Sequence, residues 1–267
     1  MEIEIIPYDF EDKYLWKFVD IHKFLYFLFE KKLYFTRLDK FEDPNEGLSE
    51  KLIREIYRRE IFPSVENLNP KLYPTESERK QAYDENLVEK VFLMNEVDDL
   101  QRMQFANCWF IGARESYAMW NLYSNPDSVV IRIKPNSLID SIKQAVKTST
   151  SNFIKKIVCG NVVYNTVYPP EYDLKKYERP TNKYSALKKD LSYEYENEYR
   201  FVAFSEKPSN EIECFEINLP DFNNLDFIII SHPRMQTWMI NNINNILISN
   251  GMNNKLVKSE IKLKPSH

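Results

Sequence analysis

The sequence predicts an α+β fold, a mixed and mainly antiparallel sheet flanked by helices with a βαβ-like C-terminal end. Three observations lead there. Short runs rich in β-branched and aromatic residues, such as 128–133 (SVVIRI), recur along the chain and favour a pleated sheet. Stretches with apolar residues at helical spacing alternate with them. The last three elements run strand, helix, strand, over 227–231, 233–249 and 256–263, with Pro233 in the first helical turn and Gly251 just past the end.

Taken in order, 14–18 reads as a strand, 22–32 (HKFLYFLFEKK) as a helix apolar on nearly all sides, and 33–37 as a second strand. Pro44 and Gly47 break the pattern in the loop 39–47 (DKFEDPNEG). Leu48, Leu52, Ile53, Ile56 and Tyr57 then predict an amphipathic helix to about residue 60. Pro63, Pro70 and Pro74 punctuate a polar stretch, expected to be an exposed excursion around 61–83 within a single domain spanning 1–267, because core-forming segments resume after it. Helical pattern returns over 84–103. Further strands are expected at 105–110, 128–133 and 153–164, the last with a turn or bulge at Gly160-Asn161, and helices at 115–123 and 135–147. A Tyr- and Pro-rich loop over 165–181 precedes two strands, 198–204 and 212–217, read as neighbours.

Composition limits the chemistry. Of 267 residues 43% are hydrophobic, with 17 Phe, 17 Tyr and 4 Trp to build a large core, and the 28% that are charged can cover it. The net charge of -4 provides no global field for a polyanion, so a nucleic-acid partner would need a local basic patch. The densest basic runs, Lys175-Lys176 and Lys188-Lys189, have acidic neighbours in Asp173, Glu178 and Asp190 and read as solvated faces. The opening Met1-Glu2-Ile3-Glu4 lacks a basic, apolar leader and no run is long enough to span a bilayer, so the expected location is the cytoplasm, with no membrane partner. Cys108, Cys159 and Cys214 lie far apart in apolar contexts and are expected to be reduced thiols. Four scattered glycines form no phosphate-cradling loop, and His22, His232 and His267 do not gather as zinc ligands. Carboxylates leave magnesium open.

Four clusters hold more polar or aromatic character than a core requires. In 15–18 (LWKF) alternation sends Lys17 to the face opposite Trp16 and Phe18, either as an edge lysine in solvent or as a cation lining a pocket. In 41–47 (FEDPNEG) proline and glycine could fix Asp43 and Glu46 in one loop, as turn and cap residues or as members of a site. Trp120 and Tyr123 lie three apart on a helix, as core packing or as an aromatic wall for a base or nicotinamide ring. In 193–200 (YEYENEYR) strand alternation would align Glu194, Glu196, Glu198 and Arg200 on one face, as a solvated ladder or as carboxylates for general-base or metal work.

These clusters, in this order, resemble the bacterial domain-of-unknown-function family 2971, with its Lys-Tyr strand, Asn-Asp-Pro-x-Glu loop, Trp-x-x-Tyr helix and Glu-x-Glu-Tyr-Arg strand. Lys17, Asp43, Pro44, Glu46, Trp120, Tyr123, Glu196, Glu198 and Arg200 match, while Phe18 stands for the Tyr, Glu42 for the Asn and Tyr193 for a Trp. The resemblance implies no established activity; such proteins look like parts of bacterial accessory or phage-defence regions.

Three functions are expected. The first rests on a likeness of layout, a short strand with a polar residue, a helix, a second strand with Thr36 and a late strand with Glu198, which resembles transferases that split NAD. It implies an ADP-ribosyltransferase-like enzyme acting on NAD, with Glu198 holding the ribose and stabilising oxocarbenium charge beside Glu196 and Arg200. Lys17 or Arg37 would then take the pyrophosphate, Trp120 or Tyr123 would stack on nicotinamide, and Thr36 would supply a hydroxyl on the second strand. The second is a magnesium-dependent nuclease gathering its metal with Asp43, Glu46, Glu196 and Glu198. The third is a non-catalytic module for a small nucleotide or a protein partner.

Overall fold

The computed structural model describes residues 1–60, 64–149, 151–165, 183–253 and 255–263. Ten strands form one mixed sheet. Its order is β1 (Glu2–Ile5), β6 (Ile154–Asn161), β9 (Glu198–Ser205), β4 (Gln104–Gly112), β2 (Tyr14–Val19), β5 (Val129–Ile133), β11 (Phe227–Ser231) and β12 (Leu256–Lys258). β3 (Lys32–Arg37) also pairs with β4 and carries β10 (Cys214–Asn218) on its other edge. Only the β1–β6 and β11–β12 pairs of this sheet are parallel. The second follows from the C-terminal βαβ unit, in which α6 (Thr237–Ser249) crosses between β11 and β12.

Each face follows from period-two alternation. On β9, Tyr199, Phe201 and Ala203 enter the main core, which is filled out by α1 (Ile21–Glu30), α5 (Pro135–Thr148) and α6. Val202 and Phe204 face the other side, against Ile6, Leu38 and Leu187. Glu198 and Arg200 share that second side by the same alternation. α4 (Tyr117–Tyr123) places Trp120 over Trp16, Val130 and Ile230, and α2 (Glu50–Glu60) packs on the C-terminal half of α3 (Glu76–Arg102) through Leu52, Ile53 and Val97. β7 (Val163–Asn165) and β8 (Lys188–Asp190) form a small parallel ladder of their own.

The structure corrects several sequence expectations. α3 begins at Glu76, inside the stretch read as an excursion, because Thr75 and Glu78 form a reciprocal capping box. Gly160 is neither turn nor bulge: it lies within β6 opposite Arg200, where a Cβ would meet Leu187 at 2.9 Å and Ile6 at 3.1 Å. The irregularity falls between Ile154 and Lys156. β9 and β10 are not neighbours, since β9 is flanked by β6 and β4. α6 starts at Thr237 after a turn through Pro233, and the final strand ends at Lys258. β1 (EIEI), with its alternation, is an additional strand. The predicted loop over 165–181 lies, beyond Asn165, outside the described residues, as do Pro63 and the run at Lys175-Lys176.

Candidate functional site

The sheet forks at Cys108. On one edge of β4, Phe110 to Gly112 pair with Tyr14 to Trp16 of β2, while Phe105 and Ala106 pair with Arg37 and Thr36 of β3. Between these two short ladders β2 and β3 diverge, joined by α1, and the opening is a cleft of about 680 Å³. Residues from both faces line it, Val19 and Trp109 from the main-core side, Phe110, Tyr123 and Glu198 from the other.

Lys17 stands in the fork. Its Nζ donates to the Cys108 carbonyl at 2.9 Å and lies 5.5 Å from the centre of the Trp109 ring. Burial lowers its pKa to about 8, against the opposing pull of Cys108 and Glu198. The Cys108 thiol is pushed up to about 12, chiefly by burial. Asn107 bridges the same gap, donating from Nδ2 to the Tyr34 carbonyl at 2.7 Å.

Beneath the cleft lies a buried ionic network centred on Arg200, which is 0% exposed. Its guanidinium forks to Glu46 at 2.6 and 2.8 Å, donates from Nε to Glu198, and reaches the Ala186 carbonyl at 3.0 Å. Lys189 adds contacts of 3.3 Å to Glu46 and 2.6 Å to Glu196, and Tyr123 donates its hydroxyl to the other Glu196 oxygen. Burial works against the Arg200 charge, but Glu198 and Glu46 outweigh it and raise its pKa well above the ordinary value. The same balance raises Lys189. Burial and the bond to Glu196 raise the Tyr123 phenol, keeping it a donor.

The local chain explains how these groups meet. The Asp43-Pro44-Asn45 turn, with Asn45 N–H on the Asp43 carboxylate at 2.9 Å, carries Glu46 inward. Gly47, at φ +75°, then turns the chain away, and its carbonyl accepts from Gln104 and Ser185. Gln101 holds the carbonyls of Pro44 and Glu46. Residues 191–196 form a 3₁₀ helix that ends at Asn197 in the left-handed conformation, so Glu196 enters from that helix and only Glu198 and Arg200 come from the strand. The expected ladder is therefore absent from these residues, and Glu194 points to solvent.

Of the residues singled out in the sequence, Lys17, Thr36, Tyr123 and Glu198 line the cleft, and Glu46, Glu196 and Arg200 form its floor. Asp43 is buried beside that floor with its pKa raised by burial. Two residues lie elsewhere. Trp120 is 1% exposed, in the core against Trp16, with its indole N–H on Glu115 at 2.8 Å. Arg37 forks to Asp39 at 2.6 and 2.9 Å and holds the carbonyls of Ser209 and Ile212, away from the cleft. Lys189, read as part of a solvated face, is the buried counter-ion of the network, and a basic run in sequence has no signal for that. Tyr26, Tyr34 and Lys23 also line the cleft, and only their helix and strand placement could have pointed to them.

Glu46, Glu196 and Glu198 each face Arg200 or Lys189, and among the described residues no group of three acidic, His or Cys side chains could hold a metal ion. No helix of the described residues is long and apolar enough to cross a membrane. Residues 119–201 match the family model described as "Protein of unknown function (DUF2971)". No curated protein and no solved structure matches the chain.

Proposed function

We propose that the forked-sheet cleft binds a nucleotide of the NAD class and that Glu198 directs cleavage of its N-glycosidic bond, an ADP-ribosyltransferase-like activity. The observation that carries this reading is that the Glu198 carboxylate lines the same aromatic-walled cleft of about 680 Å³ as the Lys17 amine, with Lys23 and Lys32 further along its lining, a size usual for small-molecule sites. Glu198 engages Arg200 through Oε2 and makes no other side-chain hydrogen bond among the described residues, so Oε1 is available to a ribose hydroxyl. In the reaction the bond between the ribose C1 and the nicotinamide nitrogen breaks, and the electron pair leaves with neutral nicotinamide. The oxocarbenium charge that develops is stabilised by the Glu198 carboxylate, and water or an acceptor hydroxyl attacks C1 and gives up its proton to solvent. Lys17 balances the diphosphate, and Tyr34 and Phe110 offer ring faces to the bases.

The experiment is calorimetric titration with NAD followed by chromatography for free nicotinamide. Binding with release is expected, and absence of binding ends the reading. A second reading is favoured by the Arg200 contact of Glu198, which suits a structural role: the cleft would then hold a nucleotide without cleaving it, and intact NAD would be recovered.

A further inference from the structure

α3 has two apolar faces, and only one is covered. Leu93, Val97 and Leu100 pack against Leu52, Ile53 and Ile56 of α2. Leu87, Val88, Val91 and Phe92 project from the opposite side of the helix and are 51, 55, 55 and 71% exposed. The helix buries nothing before Val97. Over residues 87–92, about 8 Å of helix at 1.5 Å per residue, no apolar side chain among the described residues covers this stripe.

We propose that this stripe is a self-association surface, on which α3 of one protomer packs antiparallel against α3 of a second copy of the chain. Charge pattern selects that occupant and that direction. Lys80 and Asp98 are both exposed, and 18 residues of separation is five full turns, so they lie on one flank of the stripe. A two-fold axis near position 89 makes the pairing isologous and brings like flanks together. Lys80 of each protomer then lies level with the partner's Asp98, and Leu87 lies level with the partner's Val91. A parallel, in-register pairing would instead leave Lys80 and the partner's Asp98 about 27 Å apart along the helix, so that pair would not form. The short helical contact belongs at the small end of specific interfaces, which makes the dimer reversible and concentration-dependent.

The test is sedimentation velocity on the full chain over a concentration series, with far-UV circular dichroism as a folding control. A monomer–dimer equilibrium is expected. Val91→Asp puts a charge in the centre of the stripe and should leave only monomer with unchanged helicity. Lys80→Asp sets two acids opposite each other at both ends and should weaken association by about tenfold. Lys80→Asp with Asp98→Lys reverses every pair and should restore it; the intrahelical Asp98–Arg102 contact at 3.2 Å that this change removes is exposed and contributes little. A protein monomeric at every concentration, or a dimer that Val91→Asp leaves intact, overturns the proposal. Failure of the double variant to restore association overturns the antiparallel register and with it the interface described.

Discussion

Two arginines in this molecule are equally hidden and do different things. Arg37 is 3% exposed and Arg200 0%, and each forks to a carboxylate and reaches backbone carbonyls. Arg37 holds Asp39, two residues away, and fastens the 209–212 loop. Arg200 holds Glu46, 154 residues away, and Glu198, whose carboxylate lines the cleft. Burial and bidentate geometry therefore mark a clasp, and what the carboxylate's remaining oxygen faces decides whether the clasp belongs to a site.

The largest expected effect is that of Arg200→Ala. It would leave Glu46 and Glu198 buried beside Lys189 as the one remaining nearby cation of the network described, and loss of one partner of a buried pair costs about 3–5 kcal/mol. Urea denaturation followed by fluorescence should show this as a midpoint shift with unchanged slope. Arg37→Ala should cost less, about 2 kcal/mol, because Asp39 is 20% exposed and can regain water. Its second readout sharpens the contrast: nucleotide binding in the cleft should be unchanged. If the two alanine variants destabilise equally, or if Arg37→Ala abolishes binding, the distinction between clasp and site floor fails.

Next in size is Glu198→Gln. The amide keeps the volume and still accepts from the Arg200 Nε, so folding should suffer by about 1 kcal/mol. Nicotinamide release should vanish while NAD binding persists within a few-fold. A variant that releases nicotinamide at the original rate would return Glu198 to the scaffold, together with Glu196 and Arg200.

What could be read from the sequence divides along the same line of local against distant. Runs such as VVIRI, and the helix before Gly251, carry their own periodicity and caps, so β5 and α6 were expected close to where they lie. Thr75-x-x-Glu78 was an equally local signal, outweighed by the prolines that precede it. The meeting of Glu46, Lys189 and Arg200 depends on three segments that only the sheet order brings together, and no spacing encodes that. Arg37 and Trp120 looked like site residues because residue type suits a ligand as well as a core. Their partners, the Ser209 carbonyl and Glu115, are supplied by the tertiary structure. Alternation assigned Lys17 correctly to the face opposite Trp16. Only the fork in the sheet turns that face into a cleft.

Lys17 supplies the smallest and most specific effect, a pH dependence. Its folded pKa, lowered to about 8 by burial, lies below the ordinary lysine value near 10.4. Between these values the unfolded chain binds more protons than the folded one, so this group's contribution makes stability rise with pH across that window. Below about pH 8 the cost of burying the charge is fully present and constant. An anionic ligand next to the amine reverses the preference, because it favours the ammonium form. Binding of NAD or ADP-ribose should then be flat below pH 8, should take up a proton above it, and should weaken by up to about tenfold per pH unit. Calorimetry at pH 8.5 in two buffers of different ionisation enthalpy measures that proton directly. Lys17→Met should lower affinity at pH 7 and remove the proton uptake. Uptake that survives in Lys17→Met would place the titrating group elsewhere, and affinity that rises with pH in the wild-type protein would show that the ligand's phosphates do not meet Lys17.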